Sequence, residues 1–258
     1  DCASLAGNAT KITARGFGWT HAGRSEAALS DIDVVIEPGE RVLLCGDSGS
    51  GKSTLLAAMA GVLGSDEEGT RTGELLLEDS SGLVEEPGHT IPVGLVLQDP
   101  DSQVISARVG DDIAFGCENL AYPREEIWRR VAAAKELVGP FVDLDFPTER
   151  LSGGQKQRLA LAGVIAMGAG VVLLDEPTAN LDPAGARDVV RAVSRLVEET
   201  GATLVVVEHQ HAAWDGVLDR AVELDRGRIV ADTSFAEVAQ RRQVSGLPQA
   251  RRLSEAEL

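Results

Sequence analysis

The run "RVLLCGDSGSGKSTLL", residues 41–56, limits the possible folds more than any other stretch of the chain. A short apolar strand leads into a G-x-x-x-x-G-K-S loop: Gly46, Asp47, Ser48, Gly49, Ser50, Gly51, Lys52 and Ser53. A helix-forming segment then continues from Thr54. A buried strand that turns sharply into a helix presents bare backbone N–H groups at the helix start, and these attract phosphate. The glycines let backbone amides close around β- and γ-phosphates, Lys52 adds a point charge, and the Ser53 hydroxyl can ligate Mg²⁺. A glycine-rich turn with a chance lysine is the competing explanation, and the strand and helix on either side argue against it.

The second chemical signal is "VVLLDEP", residues 171–177, which places two carboxylates at the end of an apolar strand. In open α/β sheets ligands bind beyond the carboxyl ends of strands, so Asp175 and Glu176 are directed to the phosphate loop. Alternation along the strand suits them to different tasks. Asp175 is read as holding Mg²⁺, directly or through water, and Glu176 as orienting and deprotonating the attacking water. The plainer alternative is a capping Asp beside a solvated Glu. His209 ends the strand "TLVVVEH", where a γ-phosphate sensor would sit, with His211 as its rival. Gln98 ends "VGLVLQ" and offers an amide to Mg²⁺ or to the water.

A third signal, "LSGGQKQRLALAGVIAM", begins at residue 151. Ser152 followed by Gln155 predicts a capping box, and Gly153 and Gly154 leave the helix start open, a second anion-seeking terminus. A cap alone requires only a Ser or Asp and no double glycine. Trp19 is a flat aromatic on an N-terminal strand that could stack on a base, worth about 1 kcal/mol; from the residues alone, Trp19 or Phe17 simply packing on the sheet is the stronger reading.

Composition bounds the rest. With 258 residues, 43% of them hydrophobic, the chain can bury one large α/β core, built from aliphatic residues because aromatics are only 3%. Lys and Arg number 24 against 41 Asp and Glu, a net charge of −17, which argues against nucleic acid as the main partner. Cys2, Cys45 and Cys117 have neither disulfide nor metal-ligand spacing. The longest uncharged run, Leu159 to Leu174, is too short and glycine-broken to span a bilayer, so the chain is read as soluble.

Along the chain, residues 1–10 are read as a leader left by processing or cloning. Residues 11–20 read as an edge strand, "SDIDVVIEPGE" as another, and 64–88 as turn-rich and acidic. Residues 104–150 read as a helical insertion, and α/β alternation resumes from 151. "AVELDRGRIV" reads as strand-like, and 233–258 as a short helical, then polar tail. The expected fold is α/β: a P-loop NTPase with a doubly wound, mostly parallel sheet, an N-terminal antiparallel β subdomain and a helical insertion, the main domain covering 11–232.

Taken in order, "GDSGSGKS", "LQDP", "LSGGQKQR", "VVLLDEPTANLDP" and "VEH" resemble the motif set of ATP-binding cassette (ABC) ATPases over roughly residues 11–230. The resemblance implies ATP and Mg²⁺ as ligands, and two such domains joined head to tail. Ser152, Gly153, Gly154 and Gln155 then grip the ATP held by the partner's phosphate loop. It also implies adenine stacking by Trp19 rather than Phe17, a coupling role for Gln98, a dimer contact at Asp182 and a switch role for His209. "LVLQDPDSQVIS" and "VVVEHQ" further resemble energy-coupling-factor ATPases of vitamin and cobalt or nickel importers. That subfamily implies a second ATPase subunit, identical or not, a transmembrane coupling protein whose Arg-bearing helices enter a groove, a membrane substrate-binding protein, and a position on the cytoplasmic face of the membrane. Asp99, Asp101, Asp111 and Asp112 would complement such basic helices, or are ordinary solvated surface. A non-transport ABC ATPase of DNA repair or the ribosome is the alternative; the sequence between the motifs has neither coiled coil, cysteine pairs nor basic linkers.

Overall fold

Strands such as "VVLLD" and "TLVVV" are apolar at every position but one end because they are buried on both faces, the mark of a covered parallel sheet. The computed structural model describes residues 9–64, 68–139 and 142–245, with side chains through 240. The elements are β1 (Lys11–His21), β2 (Leu29–Ile36), β3 (Arg41–Cys45), α1 (Lys52–Met59), β4 (Gly69–Glu78), β5 (Val84–Glu85), β6 (Val93–Val96), α2 (Val109–Asn119) and α3 (Arg124–Ala134). They continue with α4 (Gly153–Ala166), β7 (Val171–Asp175), α5 (Pro183–Thr200), β8 (Thr203–Val207), β9 (Arg220–Asp225), β10 (Arg228–Ser234) and α6 (Phe235–Ser245).

Six strands form the main sheet in the order β10-β9-β3-β8-β7-β6. Every neighbouring pair is parallel except β9–β10. Alternate residues feed two separate cores. Leu43, Val172, Leu174, Leu204 and Val206 face α2 to α5, while Val42, Leu44, Val171, Leu173, Val205 and Val207 face α1 and a second sheet. That second sheet is antiparallel, in the order β2-β1-β4-β5.

Three local expectations change. The segment expected to be an edge strand, β1, is an interior one, paired to β2 on one side and β4 on the other. Its partner β4 lies within the acidic 64–88 stretch; only its Gly69, Leu75 and Leu77 are buried, so its polar exposed positions hid the alternation of a one-sided sheet. "AVELDRGRIV" is two strands, because Arg226 (φ 46°) and Gly227 (φ 75°) form a tight turn with both central residues at positive φ.

The leader falls outside the described residues through residue 8, but Thr10 is fully buried and its carbonyl accepts the Thr203 hydroxyl at 2.6 Å. Past Asp232, Phe235 and Val238 of α6 are buried against the main core; the polar tail from residue 246 onward lies outside the described residues. Helices α2 and α3 pack chiefly on α4. Among the described residues no helix is long and apolar enough to cross a membrane.

Close packing of β6 on α4 rests on Gly94, where an added Cβ would stand 2.1 Å from Val164 Cγ1. Valine is stiff at χ1 and cannot swing away. Gly94→Ala is therefore expected to destabilise by about 1–3 kcal/mol, whereas Gly163→Ala, whose Cβ meets nothing within 4 Å, should stabilise the helix by about 0.5–1 kcal/mol. Thermal unfolding checks both, at about 2–4 °C per kcal/mol.

Candidate functional site

The carboxyl ends of β3, β7 and β8 open on one edge of the sheet, and the loops leaving them meet in a pocket. Ser48, Gly49, Gly51, Lys52, Ser53 and Thr54 form one wall; Glu176 and His209 face them. Gly46 must be glycine: it has φ 139°, and a Cβ there would lie 2.1 Å from the Leu224 carbonyl oxygen. The turn between β9 and β10 braces the loop, with Gly227 N–H donating to the Ser50 carbonyl at 2.9 Å.

Lys52 is 6% exposed. A buried ammonium needs acceptors on all its protons. Its Nζ donates to the carbonyls of Gly46 and Asp47 at 2.8 and 2.7 Å, with the Ser50 hydroxyl at 3.4 Å. The loop is thus wound around its own cation.

Ser53, one residue on, donates its hydroxyl to Asp175 at the end of β7. Asp175 is half-buried, and burial pushes its carboxyl above the ordinary 3.8; the Ser53 bond opposes this, the Glu176 charge reinforces it, and Lys52 opposes it again. Asp175 and Ser53 are adjacent hard-oxygen donors beside the phosphate loop. That is the sparse set Mg²⁺ takes when phosphate and water complete its shell, so the residues present fit that ion. No group of three or more His, Cys, Asp or Glu suited to a metal occurs among the described residues.

Glu176 has φ 48°, a left-handed conformation that costs a non-glycine residue about 1–3 kcal/mol. The twist is held by its N–H donating to the Val207 carbonyl at 2.9 Å, and it takes the carboxylate off the strand into the pocket. Glu176 Oε1 lies 3.0 Å from His209 Nε2. His211 is no rival: it is buried, with Nε2 on the Glu208 carbonyl at 2.9 Å.

Two expected residues are not brought to this pocket. Trp19 is 3% exposed, its indole N–H on His21 Nδ1 at 3.1 Å and its ring packed over Gly69, so in this structure it presents no stacking face. The cause is its interior strand: β4 covers the side that an edge strand would leave open. Gln98 is exposed and its side chain does not line the pocket. β6 ends at Val96, and the chain beyond it is turned aside by Gln103, which bonds the N–H and carbonyl of Leu97 at 2.8 and 2.9 Å.

Ser152 caps α4 in a full capping box with Gln155. Neither they nor Gly153 and Gly154 line the phosphate-loop pocket of their own chain. Gly153 and Gly154 pack instead towards Leu181 and Gly185, beside Asp182, which caps α5 by accepting the Gly185 N–H at 3.0 Å. Ser152, Gly153 and Asp182 are all exposed, so the two helix starts form one small open surface.

Gln157 was not singled out from sequence. It is 1% exposed; its Nε2 donates to the carbonyls of Leu97 at 2.9 Å and Pro177 at 3.2 Å, and its Oε1 accepts from Gln103 at 3.0 Å. The available signal was a polar residue in phase with Leu161 and Val164 on the buried face of α4. Beside it, between β6, α2 and α4, Leu97, Ile105, Phe115, Gly163 and Met167 line an open apolar cleft, with Asp112 at its rim. Of the acidic residues near it, Asp101 pairs with Lys156, and Asp112 accepts the N–H groups of Ile105 and Ser106.

A strand–loop–helix phosphate cradle facing a strand-end carboxylate pair defines a P-loop nucleoside triphosphatase. The sequence pattern of the ABC transporter family matches residues 29–179. The chain is 39% identical over 216 residues to the energy-coupling factor transporter ATP-binding protein EcfA1 of Caldanaerobacter subterraneus subsp. tengcongensis, covering 83% of this chain and 76% of that protein. It is 38% identical to a putative ABC transporter ATP-binding protein of Methanosarcina mazei, but there spans only 39% of the relative's length. Among solved structures, CbiO1 of Clostridium perfringens, part of the ABC transporter complex CbiONQ, superposes with TM-score 0.75 at 29% identity, over 92% of this chain and 93% of that one. A dimeric ATP-binding cassette solved in a post-hydrolysis state with ADP and Pi shares the fold, with TM-score 0.69 at 22% identity over 87% and 98% of the two chains. The chain belongs to the ABC transporter family.

The strained electrostatics of Asp175 predict a stability cost. Its folded pKa lies above 3.8, so the unfolded chain ionises first as pH rises, and stability falls across that window and stays lower above it. Asp175→Asn should raise the Tm of the nucleotide-free protein at neutral pH. The gain should shrink as pH is lowered towards 3.8, which thermal unfolding at several pH values measures.

Proposed function

We propose that this chain is the ATP-hydrolysing motor of an importer of the energy-coupling-factor type, moving a vitamin or a cobalt or nickel ion, and that it works as a head-to-tail dimer. The observation that carries the hydrolytic reading is the 3.0 Å contact of Glu176 Oε1 with His209 Nε2 directly opposite the phosphate loop. Loop amides and Lys52 receive the β- and γ-phosphates, which replace the loop carbonyls and the Ser50 hydroxyl as partners of the ammonium. Ser53 and Asp175 would hold Mg²⁺, which when bound neutralises charge developing on the phosphates. Glu176 accepts the proton of the attacking water. His209 Nε2 has one proton to give in this direction, and a γ-phosphate oxygen competes with Glu176 for it; the pair therefore registers whether that phosphate is present.

The exposed surface of Ser152, Gly153 and Asp182 supports a second chain as the ligand of this helix start, since the pocket of its own chain lies elsewhere. The apolar cleft supports a membrane partner: it is open, flanked by exposed Leu97, Ile105 and Phe115, and set on a chain whose charge is strongly negative. EcfA1 and CbiO1 as relatives support the importer class.

Glu176→Gln is expected to keep ATP affinity within a few-fold and to lower kcat by about 10²–10⁴, with ATP-bound dimers accumulating on size-exclusion chromatography. Wild-type turnover would refute the base assignment. Ser152→Arg should leave ATP binding by the isolated monomer intact and abolish hydrolysis; loss of monomer binding would instead place this helix start at its own chain's nucleotide.

A further inference from the structure

His209 reaches Glu176 from a chain segment, 208–210, that has left β8 and belongs to no helix or strand. A side chain on an unsupported loop would not hold a 3.0 Å contact, so something must fix the backbone beneath it. The residue that does so is Glu208. It is 3% exposed, more deeply buried than Lys52 at 6%. One carboxylate oxygen, Oε1, accepts the backbone N–H groups of His209 at 2.8 Å and Gln210 at 3.3 Å. The other, Oε2, accepts the hydroxyl of Thr178, itself 5% exposed. The Glu208 carbonyl takes Nε2 of buried His211, closing the segment from its far side.

Thr178 stands two residues beyond Glu176, in a segment closed by two successive turns: Ala179 N–H to the Glu176 carbonyl and Leu181 N–H to the Thr178 carbonyl, both at 3.2 Å. One buried carboxylate thus joins the loop after β7, which carries the water-activating Glu176, to the loop after β8, which carries His209. A buried carboxylate is costly unless its lone pairs are met, and here each oxygen has a donor from a different loop. A pure packing role would be filled by an aliphatic residue; three donors converging on one buried acid point to positioning.

We propose that Glu208 is a positioning residue for hydrolysis: with Thr178 it forms a staple that holds His209 against Glu176. This rests on the hydrolytic role given to Glu176 and His209 above. Glu208 does not itself line the phosphate-loop pocket and meets it only through His209, so its loss acts on turnover through His209 and leaves nucleotide affinity alone. Thr178 contributes only its hydroxyl, and serine serves as well.

The test is a mutant cycle on the full chain, at concentrations that favour dimers, reading kcat and ATP affinity separately. Glu208→Ala is expected to lower kcat about tenfold or more with ATP affinity within about threefold, and to change kcat by less than about twofold in a His209→Ala background. Thr178→Val should reproduce the loss and Thr178→Ser should restore turnover, a pair that still decides the matter should Glu208→Ala fail to fold. Full kcat in Glu208→Ala, independent losses in the double variant, or an equal loss in Thr178→Ser and Thr178→Val would overturn the staple while leaving the hydrolytic reading intact. Full kcat in His209→Ala would instead overturn the role of His209 itself, and the staple with it.

Discussion

A parallel strand buried on both faces has only one place to set a polar group, its end. β3, β7 and β8 are apolar at nearly every position because helices cover one side and a second sheet the other. Their first polar residues, those of the phosphate loop, Asp175 and Glu176, and Glu208 and His209, are therefore delivered together at one edge. Parallel register does the rest: Asp175 lies opposite Val207 and Leu44 opposite Val207, so the three loops start at the same level. The pocket follows from how the sheet is covered.

What gathers at that edge is held against its own preferences. Lys52 is a buried cation dissolved in loop carbonyls, Asp175 a carboxyl pushed towards neutrality by burial, and Glu176 a residue in left-handed backbone. Local strain of this kind persists only where the surrounding structure over-determines it. Here the over-determination is visible in the β9–β10 turn behind the phosphate loop and the Val207 carbonyl behind Glu176.

The helix that begins at Ser152 links this edge to the cleft. Its Gln157 grips Leu97, at the cleft rim, and Pro177, immediately after Glu176, through one amide. The rim of the cleft at Leu97 and the loop that follows Glu176 are thus tied through a single side chain.

The motifs were legible in the sequence alone: strand, glycine loop, lysine and serine, a strand-end acid pair and a terminal histidine are local patterns, readable because each depends on residues close in the chain. So too was the capping box at Ser152, since a cap is satisfied within four residues. Tertiary structure decided what depends on distant neighbours. It made β1 an interior strand by pairing it with an acidic segment, and in doing so buried Trp19. It turned Gln98 aside through Gln103, set His209 rather than His211 against Glu176, and buried Gln157, Thr178 and Glu208, polar residues each bonded to a partner 20 to 60 positions away. A sequence displays which groups a chain owns; only packing determines which of them are taken out of water and must find one another.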